Sequence, residues 1–267
     1  MAYTTINKSS EYFNIVTYSG NGSTQSITGV GFQPDWVWIK TRNTAGFSIV
    51  KYTGTGSAGN VGHGLSTAPK VLINKSISGA NDWFVGHSSI GFTKFLKLND
   101  RIAATTNSGI WNDTAPTTDH FTINSANGNT NSTGVEYITY CFSEIKGFSK
   151  FGSYIGNGST DGVFCYTGMK PAFLILKNIS SGSTDWIVYD NKRSSSGGNN
   201  VIDAWLAPHS SSAEVSNNTA NNLDFLSNGF KLRHDNADLN ASGSTYIYIA
   251  FAEQPLVGTN NIPATAR

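Results

Sequence analysis

Residues Gly152–Ser159 read GSYIGNGS, and this short phrase, an aromatic strand end followed by a glycine-asparagine turn, is the strongest indication of the fold. Two related phrases stand earlier in the chain, VTYSGNGS at Val16–Ser23 and VKYTGTGS at Val50–Ser57. An Asn-Gly pair between apolar runs is a strong short-range hairpin signal. Its recurrence indicates that one β-rich unit is used more than once.

A proline-led apolar run follows each phrase at nearly constant spacing. The prolines stand 16 (34−18), 17 (69−52) and 17 (171−154) residues after the tyrosine of the phrase. The three runs are Pro34–Lys40, Pro69–Lys75 and Pro171–Lys177. Runs that are apolar at nearly every position are typical of strands covered on both faces.

The second and third copies continue to match after the proline-led run. From tyrosine to closing glutamate they measure 92 (144−52) and 99 (253−154) residues. We therefore predict a truncated repeat over residues 1–45, β-sandwich modules over 46–147 and 148–255, and a tail over 256–267. The matched motifs are Asp82–Val85 with Asp185–Val188, Phe121–Asn124 with Phe230–Arg233, and Tyr137–Glu144 with Tyr246–Glu253.

The predicted fold class is all-β, with tandem, jelly-roll-like β-sandwich modules. Strands of about 4–10 residues, rich in β-branched and aromatic residues and bounded by Gly, Asn and Ser, support it. No segment carries a sustained helical period. One helical turn is expected near 102–104 or 212–214.

Composition excludes several classes of function. Charged residues are 13% of the chain and the net charge is +1, so no basic excess favours nucleic acid. No apolar stretch predicts membrane insertion, and the amino terminus lacks a signal-peptide pattern. Cys141 and Cys165 are interpreted as buried free thiols, with a disulfide as the alternative.

The residues that could perform chemistry favour no enzyme, and we expect no cofactor and no metal. The five histidines stand in no catalytic context, and His63, aligned with Cys165, is interpreted as a surface turn residue. The two acidic pairs, Asp82 with Glu144 and Asp185 with Glu253, recur in both modules. Recurrence indicates structural roles, because a catalytic pair is expected once.

Two tryptophans outside the predicted strands are candidate contacts. Trp111 is followed by Asn112 and Asp113 in a predicted loop, and Trp205 precedes His209. A tryptophan beside polar side chains can stack on a sugar, while packing or a subunit interface is the alternative interpretation. In the truncated copy, Trp36 and Trp38 lie in a hairpin too short to bury a core, so we expect these tryptophans to anchor it elsewhere. The expected docking is strand addition in cis or in trans.

The run Tyr12–Lys40 resembles repeat modules of tail-associated proteins from marine and cyanobacterial phages, as do Lys150–Tyr154 and Asp224–Arg233 in the third copy. The resemblance extends to about Pro255 and departs from the pattern where the first copy stops after Arg42. It implies a virion structural or host-contact role and carries no catalytic residues.

The expected function is a phage virion structural protein, namely a tail fibre or receptor-binding component made in the host cytoplasm. The alternatives are a capsid decoration or scaffold protein and a polysaccharide depolymerase. Expected partners are other virion proteins, further copies of the chain and a host surface glycan or protein. Analogy with fibre proteins implies a trimer.

Overall fold

The computed structural model describes residues 26–28, 30, 46–78, 80–124, 129–195, 197 and 199–253. Contacts between Cα atoms divide the chain into a unit of residues 1–41 and a unit of residues 42–267, and every described strand belongs to the second unit. Trp36 and Trp38, with the hairpin predicted around them, lie outside the described residues. We call residues 46–147 the first repeat and residues 148–255 the second repeat.

The described chain is almost entirely antiparallel β-structure, which confirms the all-β prediction. The first repeat contains β1 Phe47–Thr53, β2 Gly59–Gly62, β3 Val71–Ser76, β4 Phe84–His87, β5 Lys94–Lys97, β6 Thr105–Thr106, helix α1 Ser108–Trp111, β7 His120–Ile123 and β8 Glu136–Phe142. The second repeat contains β9 Ser149–Ile155, β10 Phe164–Tyr166, β11 Phe173–Asn178, β12 Trp186–Asp190, β13 Leu223–Leu226, β14 Gly229–Leu232 and β15 Thr245–Phe251.

Both repeats share the order of four strands in their large sheets. The large sheet of the first repeat has the order β1-β8-β3-β4-β5-β6, and its first four strands correspond to the order β9-β15-β11-β12 of the second repeat. Each repeat adds a small sheet, β2-β7 in the first and β10-β14-β13 in the second. The registers agree as well, because Tyr52 pairs with Tyr137 as Tyr154 pairs with Tyr246. The two tyrosine pairs stack at centroid distances of 5.3 and 4.9 Å.

A repeated hydrogen-bond network holds the turn after each opening strand. In the second repeat the side chain of Asn240 accepts from the Asn157 backbone N–H at 3.0 Å and donates to the Ser159 carbonyl at 2.8 Å. In the first repeat Asn131 accepts from the Thr55 N–H and donates to the Ser57 carbonyl, at 2.8 and 2.7 Å. An asparagine is required because it supplies an acceptor and a donor from one side chain.

The large sheets are covered on both faces. On β3, Leu72 belongs to the core between the two sheets of the first repeat, while its neighbour Val71 packs with Phe151 and Ile249 of the second repeat. Side chains alternate between the faces of a strand, so one face serves the repeat's own core and the other serves the contact between repeats. This arrangement explains the continuous apolar character of the proline-led runs.

Three local expectations differ from the structure. The helix is at Ser108–Trp111, not near 102–104 or 212–214, and it begins where the Asn107 side chain accepts from the Gly109 N–H at 2.8 Å. His63 is buried, not a surface residue: its Nδ1 accepts from the Leu65 N–H at 3.0 Å. Strand pairing also makes Val61, not His63, the equivalent of Cys165. Cys165 pairs with Phe230, and Val61 pairs with Phe121, which is the residue that corresponds to Phe230.

Both cysteines are free and buried, as the thiol interpretation predicts. Cys141 lies in the core of the first repeat and Cys165 in the core of the second. Burial raises the pKa of each thiol to about 12.

Candidate functional site

The contact between the repeats contains the recurring Asp-Trp motif of the second repeat. Trp186 is buried, and its indole N–H donates to the carbonyls of Lys97 and Asp100 in the first repeat at 2.8 and 3.1 Å. Beside it, the guanidinium of Arg101 contacts the Asp185 carboxylate at 2.8 Å. The Asp-Trp motif therefore joins one repeat to the other.

Two buried bases at this contact are engaged in structural hydrogen bonds. His87 Nδ1 accepts from the Ser89 N–H at 3.1 Å, so Nε2 carries the proton and donates to the Tyr248 carbonyl at 3.3 Å. Burial lowers the pKa of His87 to about 4. Lys177 donates to the carbonyl and hydroxyl of Thr184 at 2.9 and 3.0 Å, and burial lowers its pKa to about 8.

The recurring carboxylates are all paired with cations of the same chain. Asp82 contacts Lys97 at 2.7 Å, and hydrogen bonding from this lysine lowers the pKa of Asp82. Burial alone would raise the pKa of Glu144, but hydrogen bonds from Lys70 and from a backbone N–H outweigh burial and lower it. The hydrogen bond from Lys192 likewise lowers the pKa of Glu253. A general acid of a glycosidase needs the opposite shift.

The structure corrects the expectation that Trp111 lies in a loop. Trp111 ends helix α1, is 1% exposed and meets the ring of Phe92 edge-on at 6.3 Å in the first core. Its ring is therefore unavailable to a surface ligand. Asn112 and Asp113 are exposed, both with left-handed backbone conformations. The structure thus separates these two polar residues from the tryptophan expected to act with them.

Trp205 and His209 lie in the long connection between β12 and β13. Trp205 is half-buried against the second core. The imidazole of His209 is 8% exposed and its Nε2 lies 3.3 Å from the Asp185 carboxylate. Within the described part of the chain, His209 Nδ1 and Trp205 Nε1 have no hydrogen-bond partner. The imidazole is thus placed beside the contact between the repeats, and neither ring stands free on the surface.

The most exposed aromatic pair of the described chain lies elsewhere, on strand β10. Phe164 and Tyr166 are 43% and 63% exposed, while Cys165 between them points into the second core. Side-chain alternation therefore places both rings on the outer face of the small sheet, about 6.5 Å apart along the strand.

Neighbouring strand β14 supports these rings and adds charge. A Cβ atom on Gly229 would lie 2.9 Å from the Phe164 ring and 2.1 Å from the Cys165 carbonyl oxygen, so only glycine allows this close approach. Lys231, which pairs with Phe164 across the strands, contacts the Asp161 carboxylate at 2.8 Å. We call Phe164, Tyr166, Gly229, Lys231 and Asp161 the aromatic platform.

The charges on and beside the platform are compensated within the chain. The ammonium of Lys231 holds the pKa of Asp161 below its usual range. Asp224, which pairs with Lys231 on the next strand, accepts from Arg233 Nε at 2.6 Å. The two exposed rings thus lie beside two ion pairs, one within the platform and one next to it, and no charge is left over among these four charged groups.

The first repeat carries no such platform at the equivalent positions. Pairing of β2 with β7 places Asn60 and Gly62 where the second repeat has Phe164 and Tyr166. The second repeat also has two more residues between its opening tyrosine and this strand (165−154 against 61−52), and Asp161 lies in that longer segment. The platform therefore belongs to one repeat, unlike the acidic pairs and the turn network.

No helix of the described residues is long and apolar enough to cross a membrane. Among those residues no cluster of three or more His, Cys, Asp or Glu side chains could hold a metal ion.

A protein-family model matches most of this chain. No curated protein and no solved structure matches the chain. One family model matches twice, over residues 8–45 and again over residues 42–255, so its second match spans both repeats together. Since these matches cover most of the sequence, the chain belongs to the family described as Domain of unknown function (DUF7483).

Proposed function

We propose that this protein is a structural component of a phage virion, a tail fibre or receptor-binding protein that contacts the host surface through the aromatic platform. The observation that carries the proposal is the presence of the exposed pair Phe164 and Tyr166 in only one of two repeats that share the same order of four main strands. The turn network and the stacked tyrosine pair recur in both repeats and hold the fold, whereas the aromatic pair of one repeat is free to serve binding.

Two further observations support this function. The chain has few charged residues and is rich in Ser, Thr, Asn and Gly, which suits a surface exposed outside the cell. The resemblance of its repeats to phage tail-associated modules is the reason for proposing that the particle is a phage virion. A depolymerase would need a pair of carboxyl groups for catalysis. The carboxylates of Asp82, Glu144 and Glu253 instead form ion pairs with lysines, which favours the binding function over the depolymerase.

The test combines location with cell binding. Antibody labelling of purified virions should place the protein on the tail, and the purified protein should bind host cells. Tyr166→Ala should reduce cell binding, while Ile155→Ala, which alters an equally exposed apolar residue on β9, should leave it unchanged. Labelling on the head without cell binding would favour the capsid decoration alternative and overturn the proposal.

A further inference from the structure

The aromatic platform has the chemistry of a sugar-binding surface. Its two rings lie on one face of the sheet and are spaced along one strand, so they can each cover a separate ring of a chain-like ligand. A pyranose presents C–H groups on its face and hydroxyls at its rim. Aromatic rings suit the face, and carboxylate, ammonium and phenol groups suit the rim.

The charge arrangement selects among possible ligands. Asp161 with Lys231, and Asp224 with Arg233, already neutralise one another. An anionic ligand would have to compete with a carboxylate for each cation, so it gains little net attraction. A neutral ligand does not have to compete for the paired cations. The Asp161 carboxylate is 84% exposed and keeps acceptor sites for the hydroxyl groups of such a ligand.

The small extent of the platform argues against a protein partner. A stable protein–protein interface takes about 800 Å² and some 20–30 residues from each side, with depletion of charge at its centre. Here two rings are bordered directly by two ion pairs, and Cys165 and Phe230 behind them belong to the core. A glycan needs only a few stacking and hydrogen-bonding groups.

We infer that the aromatic platform binds a neutral glycan, with Phe164 and Tyr166 stacking on the faces of sugar rings and Asp161 and Lys231 bonding their hydroxyls. The inference rests on the proposed host contact, and names the class of ligand for that same surface.

The direct test presents the full-length protein to an array of immobilised neutral and anionic oligosaccharides, followed by calorimetry on the best neutral oligosaccharide. Neutral oligosaccharides should bind, with little change between low and high salt. Tyr166→Ala and Phe164→Ala should each weaken binding about tenfold. Tyr166→Phe, which keeps the ring, should retain most of the affinity, and Ile155→Ala and Asn60→Ala should match the unaltered protein.

Several results would overturn the inference. The first is that the unaltered protein binds the array no more strongly than the Tyr166→Ala variant does. The second is binding only to anionic oligosaccharides, with that binding lost in high salt. The third is equal binding by all variants. Each variant is compared by circular dichroism, so that a folding defect is separated from loss of the platform.

A cell-binding arm separates this inference from the proposed function. Periodate oxidation of host cells should remove binding if the receptor is a glycan. Binding that survives periodate but is lost in Tyr166→Ala would leave the host-contact function standing and overturn the glycan. Absence from virions and from untreated cells, with array binding intact, would overturn the proposed function and leave the sugar site standing.

Discussion

Replacing Trp186 by phenylalanine tests whether the contact between the repeats stabilises both of them. The change removes the indole N–H. The Lys97 carbonyl still accepts from the Asp100 N–H at 3.3 Å, whereas the half-buried Asp100 carbonyl loses this donor. An unsatisfied buried polar group costs about 1–3 kcal/mol, so we expect a loss near 2 kcal/mol in the free energy of unfolding. For a folded unit of this size that corresponds to about 4–8 °C in Tm.

The matched control is Trp83→Phe. Register places Trp83 in the first repeat at the position of Trp186, but Trp83 is only half-buried and stacks on Tyr140 at 6.4 Å. We expect this variant to lose no more than about 1 kcal/mol. Urea denaturation followed by circular dichroism measures both. Equal losses in the two variants, or no loss for Trp186→Phe, would refute the assignment of Trp186 as the residue that joins the repeats.

Three further outcomes are expected. Because burial lowers the pKa of His87 from 6.5 to about 4, the unfolded chain takes up this proton first, so stability falls as pH decreases from 6.5 to 4, by up to about 3 kcal/mol. Thermal melts across this range should show a shallower decline for His87→Gln. Gly229→Ala should cost about 1–3 kcal/mol and weaken binding at the platform, since the added Cβ meets the Cys165 carbonyl. Gly62→Ala on β2, the first-repeat equivalent of β10, has room for its Cβ and should change Tm little. Deleting residues 1–42 should release the protein from virions or convert a trimer to monomers in light scattering while the two repeats stay folded; normal assembly of the shortened chain would refute the anchoring role.

The sequence was sufficient for the fold because the repeat constrains it twice. Tyrosine, turn and proline recur at fixed spacing, and a strand pattern seen in two copies is hard to misread. Alignment by spacing alone fails where the second repeat has two extra residues, because it aligns His63 with Cys165. Only the backbone pairing of β2 and β10 corrects that register.

The candidate site was harder to predict because it depends on which face of a strand points outward. Phe164-Cys165-Tyr166 reads as an apolar strand around a buried thiol, and that reading is right for Cys165 alone. The signal was nevertheless present: the same strand of the first repeat has Asn60 and Gly62 at the outward positions. The prediction of an accessible Trp111 was wrong because its polar neighbours Asn112 and Asp113 follow the end of a helix, while the Trp111 ring packs in the core.

The distribution of cysteines provides a built-in reporter of local opening. The chain has two cysteines, and each core contains one of them, Cys141 in the first repeat and Cys165 in the second. A buried thiol reacts with a disulfide reagent only when its surroundings open, so the labelling rate of each cysteine follows the transient exposure of its own repeat. Mass spectrometry of the two labelled peptides, from the protein without any substitution, would therefore reveal whether the two repeats open together or independently.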